Sequence, residues 1–264
     1  MQSVVPVQRP PLYWVFSDTW ELFRRNAIQI GRTPAQLIFV VILQPVLLIV
    51  LFKYVFGGAV NTGDTTYSNF LIPGVFVSNS VLVSAVAAVS IASDMTNGVI
   101  DRFRSLPMVK SAILGGTILS NTIRSLAAIA AMLLIGLLVG FRPDAGLGAW
   151  LAAIGLLMLL TYSFSWLLAV LGLMAGTPEG AQQMSGLIWP LAFVSSVFVP
   201  AESMPGWLQA FASNQPITQA VEAVRALLLG QPVGNHAWLT VVWSVGITAV
   251  SVVLAGSLFR RKFG

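Results

Sequence analysis

The 264-residue chain is 56% hydrophobic and only 9% charged, with a mean hydropathy of +0.85; an ordinary soluble domain is about a quarter charged, so a soluble fold would lack polar surface to present, and an integral membrane protein is expected. The 14 basic residues against 9 acidic ones form too modest an excess for a nucleic-acid surface, and their placement suits membrane loops. The chain has no cysteine, which excludes disulfides, thiolate metal sites and thiol catalysis.

The opening residues, MQSVVPVQRPP, lack a basic region leading at once into an apolar core, so no cleavable signal is expected. In the following YWVFSDTWELFRRNAIQIGRTP, residues Tyr13, Phe16, Trp20, Phe23, Ala27 and Ile30 recur at spacings of three and four. That spacing is one helical stripe, and Asp18, Glu21, Arg25, Gln29 and Arg32 avoid it. An aromatic stripe beside Arg24 and Arg25 suits a helix lying in the membrane interface, where rings sit at headgroup depth and long basic chains snorkel. Packing on another protein surface is the alternative.

Crossing a bilayer takes about 20 mostly apolar residues. Runs of that kind fall at 36–56, 70–93, 112–140, 148–175, 183–200 and 236–259. The fifth is short and carries Pro190, which predicts a kink. The expected architecture is therefore all-α and polytopic: a tail and interfacial helix over 1–34, six membrane spans over 36–259, and a basic tail over 260–264. Between the last two spans, PAESMPGWLQAFASNQPITQAVEAVRALLLGQP is too polar to span and too patterned for a plain loop. A short helix is predicted over Pro205 to Ala212. A second starts at Pro216, carries Ile217, Val221, Val224 and Leu228 as its stripe and stops at Gly230. Glu222 and Arg225 stand three apart and can pair. A dip into the membrane and a surface amphipathic hairpin both fit this pattern.

Orientation follows the loop charges. With both termini cytoplasmic, the inner segments hold Arg9, Arg24, Arg25, Arg32, Arg102, Arg104, Lys110, Arg260, Arg261 and Lys262, and the outer ones hold Arg142 and Arg225, with Lys53 near the outer end of the first span. The opposite orientation inverts the bias.

Catalytic chemistry is sparse. His236 is the lone histidine, and the topology puts it at the opposite face from Ser185, out of the hydrogen-bond reach that a serine–base pair needs. No cluster offers a recognisable metal-ligand set, and no GxxxxGK[ST] phosphate loop occurs, so ATP hydrolysis would have to reside on another subunit. Arg124 lies well inside the third run, with Asn121 one turn before it. A central arginine costs about 2.5–3.5 kcal/mol on insertion scales, so it must face protein or water, or snorkel. Lining a polar path and pairing with an acid such as Asp94 are both open. The scarcity of carboxylates at membrane depth counts against the alternatives of an ion-coupled secondary transporter and an intramembrane enzyme.

The loop GVIDRFRSLPM between the second and third runs resembles the corresponding loop of type-2 ABC transporter permeases, above all the daunorubicin/doxorubicin-resistance type. FVSSVFVPAESMPGWLQAFASNQPITQAVEAVRALLLGQP resembles that family's second signature. Nearly the whole chain, 1–264, is thus similar to one type-2 permease domain. The resemblance implies the permease subunit of an ATP-driven exporter in the plasma (inner) membrane, moving a drug, lipid, glycolipid or other hydrophobic or amphipathic molecule. It implies two cytoplasmic ATPase subunits, which bind ATP and magnesium while this chain binds no cofactor, and a second permease, identical or related. Asp101, Arg102, Phe103, Arg104, Ser105, Leu106, Pro107 and Met108 would form a coupling helix in a groove of the ATPase. Many relatives carry Glu in this loop, often followed by Gly-Thr, where this chain has Asp101-Arg102-Phe103-Arg104. Tyr13 to Arg32, with Phe16, Trp20, Phe23, Arg24 and Arg25, would be the connecting helix against membrane lipid. Met204 to Leu229, with Trp207, Glu222 and Arg225, would be the outer re-entrant pair beside the exit gate. The path would run between permease units, with Ser78, Asn79, Ser80, Ser84, Asn121 and Arg124 as candidate lining, although small polar residues in a span equally serve close helix packing.

Overall fold

The structure is a computed structural model that describes residues 43–56, 66–98 and 110–263. All regular elements among these residues are helical. They are α1 (Gln44–Leu51) with a π-helical turn at Phe52–Phe56, α2 (Tyr67–Val83), α3 (Ala85–Thr96), α4 (Lys110–Val139) and α5 (Leu147–Ala175). Then follow α6 (Pro178–Ser185), α7 (Ile188–Phe193), a 3₁₀ turn at Ala201–Ser203, α8 (Gly206–Asn214), α9 (Pro216–Leu228) and α10 (His236–Phe263).

Among the described residues four segments are long and apolar enough to cross a membrane, Tyr67–Thr96, Leu114–Val139, Leu147–Ala175 and His236–Arg261, with the shorter apolar Gln44–Val55 beside them. They match the second, third, fourth and sixth expected runs. The second is bent where α2 meets α3. There the Ser84 hydroxyl donates to Ser80 O at 3.0 Å and Thr161 O at 3.1 Å, and the Ser84 and Ala87 N–H groups bond three residues back rather than four. Serine bonding back onto its own helix favours such a bend.

Helix α5 is the centre of the bundle, packed against α2, α3, α4, α6, α9 and α10. Its approach to α3 is close because Gly172 has no side chain: a Cβ there would stand 2.5 Å from Ala88 O. Small residues let membrane helices meet in this way. The α5–α6 junction follows from its sequence. Gly176 takes the left-handed conformation that ends α5, Thr177 caps α6 by accepting from Gly180 N–H at 3.2 Å, and Pro178 occupies the first turn. Buried residues form two clusters. The larger includes Phe70, Phe76, Phe141, Leu160 and Val221; the smaller joins Ile91, Leu114, Ile118, Trp166, Leu173 and Phe259 towards the opposite end.

The fifth run, expected over 183–200 as a short span with a kink at Pro190, is two short helices followed by irregular backbone. Two short helices meet at Gly186–Leu187, both in right-handed helical conformation. Pro190 has no N–H to offer Gly186 O, which accepts from Trp189 N–H at 3.1 Å instead. Beyond Phe193 the chain leaves the helix. The segment nonetheless passes through the bundle. It starts against α3 and α5 beside the C-terminus of α5 and arrives at the start of α2, where Tyr67 OH donates to Phe198 O at 3.2 Å.

Candidate functional site

The predicted coupling residues Asp101 to Met108, and Phe16, Trp20, Phe23, Arg24 and Arg25 of the predicted interfacial helix, lie outside the described residues. Of Arg124, on α4, only the backbone is described.

Of the candidate path residues, Ser84 and Asn121 meet Thr161 and Ser165 of α5 in a polar seam inside the chain. Ser78, Asn79 and Ser80 on α2, Ser84 at the bend and Asn121 on α4 are all buried. Ser78 donates to Val75 O and Ser80 to Phe76 O, while Ser84 bridges to α5 through Thr161 O. Asn121 Nδ2 donates to Val83 O at 3.3 Å and to Ser165 Oγ at 3.0 Å, tying α2, α4 and α5 together. Among the described residues Asn121 Oδ1 has no hydrogen-bond partner. Interhelical polar contacts of this kind serve packing.

At the end of the bundle that holds the α4–α5 loop, the predicted helix pair is present. It comprises α8 and α9, with Pro216 in the first turn of α9 and Gly230 at a positive φ of 65° just beyond it. The two helices are unlike. Helix α8 packs on α9 and the 3₁₀ turn and leaves Trp207 77% exposed. Helix α9 is enclosed by α2, α5 and α10. Asp144 N–H donates to Leu228 O at 3.1 Å, which fastens the end of α9 to the α4–α5 loop. That loop is tied in turn to α2 by Arg142 N–H donating to Asn69 Oδ1 at 3.0 Å.

Arg225 is 6% exposed and the most heavily partnered cation described. Its Nε donates to Phe70 O at 3.1 Å, one terminal nitrogen to Ser196 O at 2.8 Å and the other to Glu222 Oε1 at 2.8 Å. Its guanidinium carbon lies 3.7 Å from the centre of the Phe70 ring. The expected Glu222–Arg225 pair is therefore formed, but it is one contact among several. Burial pushes the Arg225 pKa down and the Glu222 and Glu202 carboxylates push it back up; arginine starts so far above neutrality that it keeps its proton. Sequence spacing indicated Glu222 and could not indicate Phe70 or Ser196, which are 155 and 29 residues away.

Ser185 and His236 do not form a pair. The Ser185 hydroxyl donates to Ala181 O at 2.7 Å, and His236 Nδ1 stands 2.7 Å from Gln219 Oε1. Among the described residues no group of three or more His, Cys, Asp or Glu is arranged to hold a metal ion.

An apolar bundle crossed by a polar seam, with a buried helix plugging one end, is a membrane architecture without a hydrolytic centre among its described residues. Comparison with known proteins decides what kind. The family described as ABC-2 type transporter matches residues 17–229. The chain belongs to that family. This ABC-2 protein is 35% identical over 256 residues, 97% of its length and 90% of the relative's, to the daunorubicin resistance ABC transporter permease protein DrrB1 of Streptomyces coeruleorubidus. It is 29% identical over 226 residues, 83% of this chain and 80% of the other, to the probable doxorubicin resistance ABC transporter permease protein DrrC of Mycobacterium tuberculosis. A putative transport permease, ycf38, of Porphyra purpurea is 28% identical over 221 residues, 81% and 74% of the two chains. The chain is thus a multi-pass membrane permease of the ABC-2 type, a transport subunit of an ABC system, and the resemblance drawn from its two signatures holds.

Proposed function

We propose that the chain is the membrane-spanning subunit of an ATP-driven exporter of hydrophobic or amphipathic molecules, drugs and lipids among them, in the plasma membrane. The observation that carries this reading is the near full-length similarity to a permease named for daunorubicin resistance. Six crossings are read by adding Gln44–Val55 and the bent segment Pro178–Val199 to the four long helices, with both termini on the cytoplasmic side. Two ATPase subunits bind and hydrolyse ATP. Asp101 to Met108 form the coupling helix, with Arg102 and Arg104 pairing with ATPase acids and Phe103, Leu106 and Met108 anchoring in its groove; buried apolar anchors usually dominate such interfaces. A second permease copy or relative completes the path, and the seam from Ser78 to Arg124 supplies its polar lining. ATP shifts the assembly between inward and outward states by binding one better than the other.

Co-purification tests the reading. Tagged full-length chain should bring down an ATPase, and joint substitution of Arg102, Arg104 and Leu106 by alanine should weaken that association by more than tenfold, as expected when an interface loses its anchors. Transport by the chain alone in ATP-free liposomes under a proton gradient would instead establish an ion-coupled carrier.

A further inference from the structure

Beyond Phe193 the backbone is non-helical within the bundle, and side chains satisfy part of it together with the last turn of α7. Gln215 Nε2 donates to Leu191 O at 3.1 Å and to Val194 O. Ser196 N–H donates to Thr218 Oγ1 at 3.3 Å, and Arg225 donates to Ser196 O. Irregular backbone away from water needs partners of this kind. Gln215 is the extended N-cap of α9, and Thr218 and Arg225 lie on α9 itself, where positions 218, 222 and 225 fall at helical spacing on one stripe.

We propose that this stripe, with Gln215 before it, is a template that positions the non-helical segment 194–199, and that Arg225 is the latch whose release lets this segment rearrange when the transporter opens at that end. The inference rests on the exporter reading and adds a moving part and a positioning residue to it. Three features of the segment favour movement. Its arrangement leaves buried polar atoms without hydrogen-bond partners among the described residues, Ser196 Oγ and Gln215 Oε1, so a different conformation has hydrogen bonds to gain. Its backbone lies directly on Gly74, where a Cβ would stand 2.6 Å from Val197 O, so at that contact no side chain of α2 stands in its way. Its Phe198 ring stacks on Phe52 beside α1 at 4.2 Å and on Phe193 at 5.3 Å, which links any shift to the first apolar helix. Arg225 is the latch because a planar, forked guanidinium spans three groups at once, on α2, on the segment and on α9 itself. A lysine in its place reaches fewer of them.

The cysteine-free chain suits a labelling test on the full transporter, with its ATPase, in sealed vesicles. A Val199→Cys probe is read with a membrane-impermeant maleimide, and Ala153→Cys, buried on α5, reports general loosening. Adding Arg225→Gln should raise Val199→Cys labelling about tenfold without nucleotide, the change in an opening equilibrium expected from losing charge-assisted hydrogen bonds. Arg225→Lys should fall between the two, and Ala153→Cys should stay protected throughout. Thr218→Val, which removes one acceptor and keeps the side chain's shape, should give a several-fold rise and serves if Arg225→Gln does not reach the membrane. Unchanged Val199→Cys labelling in these variants, or an equal rise at Ala153→Cys, overturns the latch. If the variants raise labelling but ATP never does, the latch stands and the ATP-driven reading fails; if ATP raises it and the variants do not, the reverse holds.

Discussion

Gly155 and Gly172 lie on the same helix in different surroundings. A Cβ at Gly172 would meet the Ala88 carbonyl, whereas at Gly155 nothing lies within 4 Å. Gly172→Ala must push α5 away from α3, and overpacking of this kind costs about 1–3 kcal/mol. Gly155→Ala removes a helix-breaking residue from open space and should gain up to about 1 kcal/mol. Thermal unfolding in detergent should show the two midpoints moving in opposite directions, and a common sign would contradict the close α5–α3 contact. Asn121 poses a sharper question, because its side chain both ties three helices and lies on the proposed path. Asn121→Leu should cost about 1 kcal/mol, the scale of interhelical hydrogen bonds in membranes. Lower stability with an unchanged substrate range assigns the residue to packing; an altered range at unchanged stability assigns it to the path. The sequence offered both roles for Asn121 but not its partners, since the contacts to Val83 and Ser165 join residues 38 and 44 apart.

The elements that the sequence foretold best are those whose causes are local. Helices α4, α5 and α10 follow from long apolar runs, and α9 follows from Pro216 at its start, Gly230 at its end and one apolar stripe between them. The fifth run was harder for a physical reason. Hydropathy records that 183–200 prefers an apolar setting, not whether its backbone is helical. That is decided by Pro190 locally and by donors on α9 and its N-cap more than 20 residues away. Pro190→Ala would return an N–H to Gly186 O and should fuse α6 and α7 into one rod. Backbone hydrogen exchange through residues 186–194 should slow several-fold, as one added hydrogen bond of about 1 kcal/mol dictates. Exchange at the parent rate would mean that the bend is set by the surrounding helices rather than by the proline.

The described part of the molecule is organised around α5, a rank that its apolar run did not reveal, because hydropathy marks a span and not how many helices will pack on it. Its most extensive partner is α10, which comes much later in the chain. That order matters while the chain is being synthesised. Residue 236 follows residue 175 by 61 positions, which at about 5–20 residues per second leaves several seconds in which α5 has entered the bilayer without its main neighbour. During that interval its α10-facing side rests against lipid or the insertion machinery, and the nascent protein is a bundle with an open flank until α10 arrives.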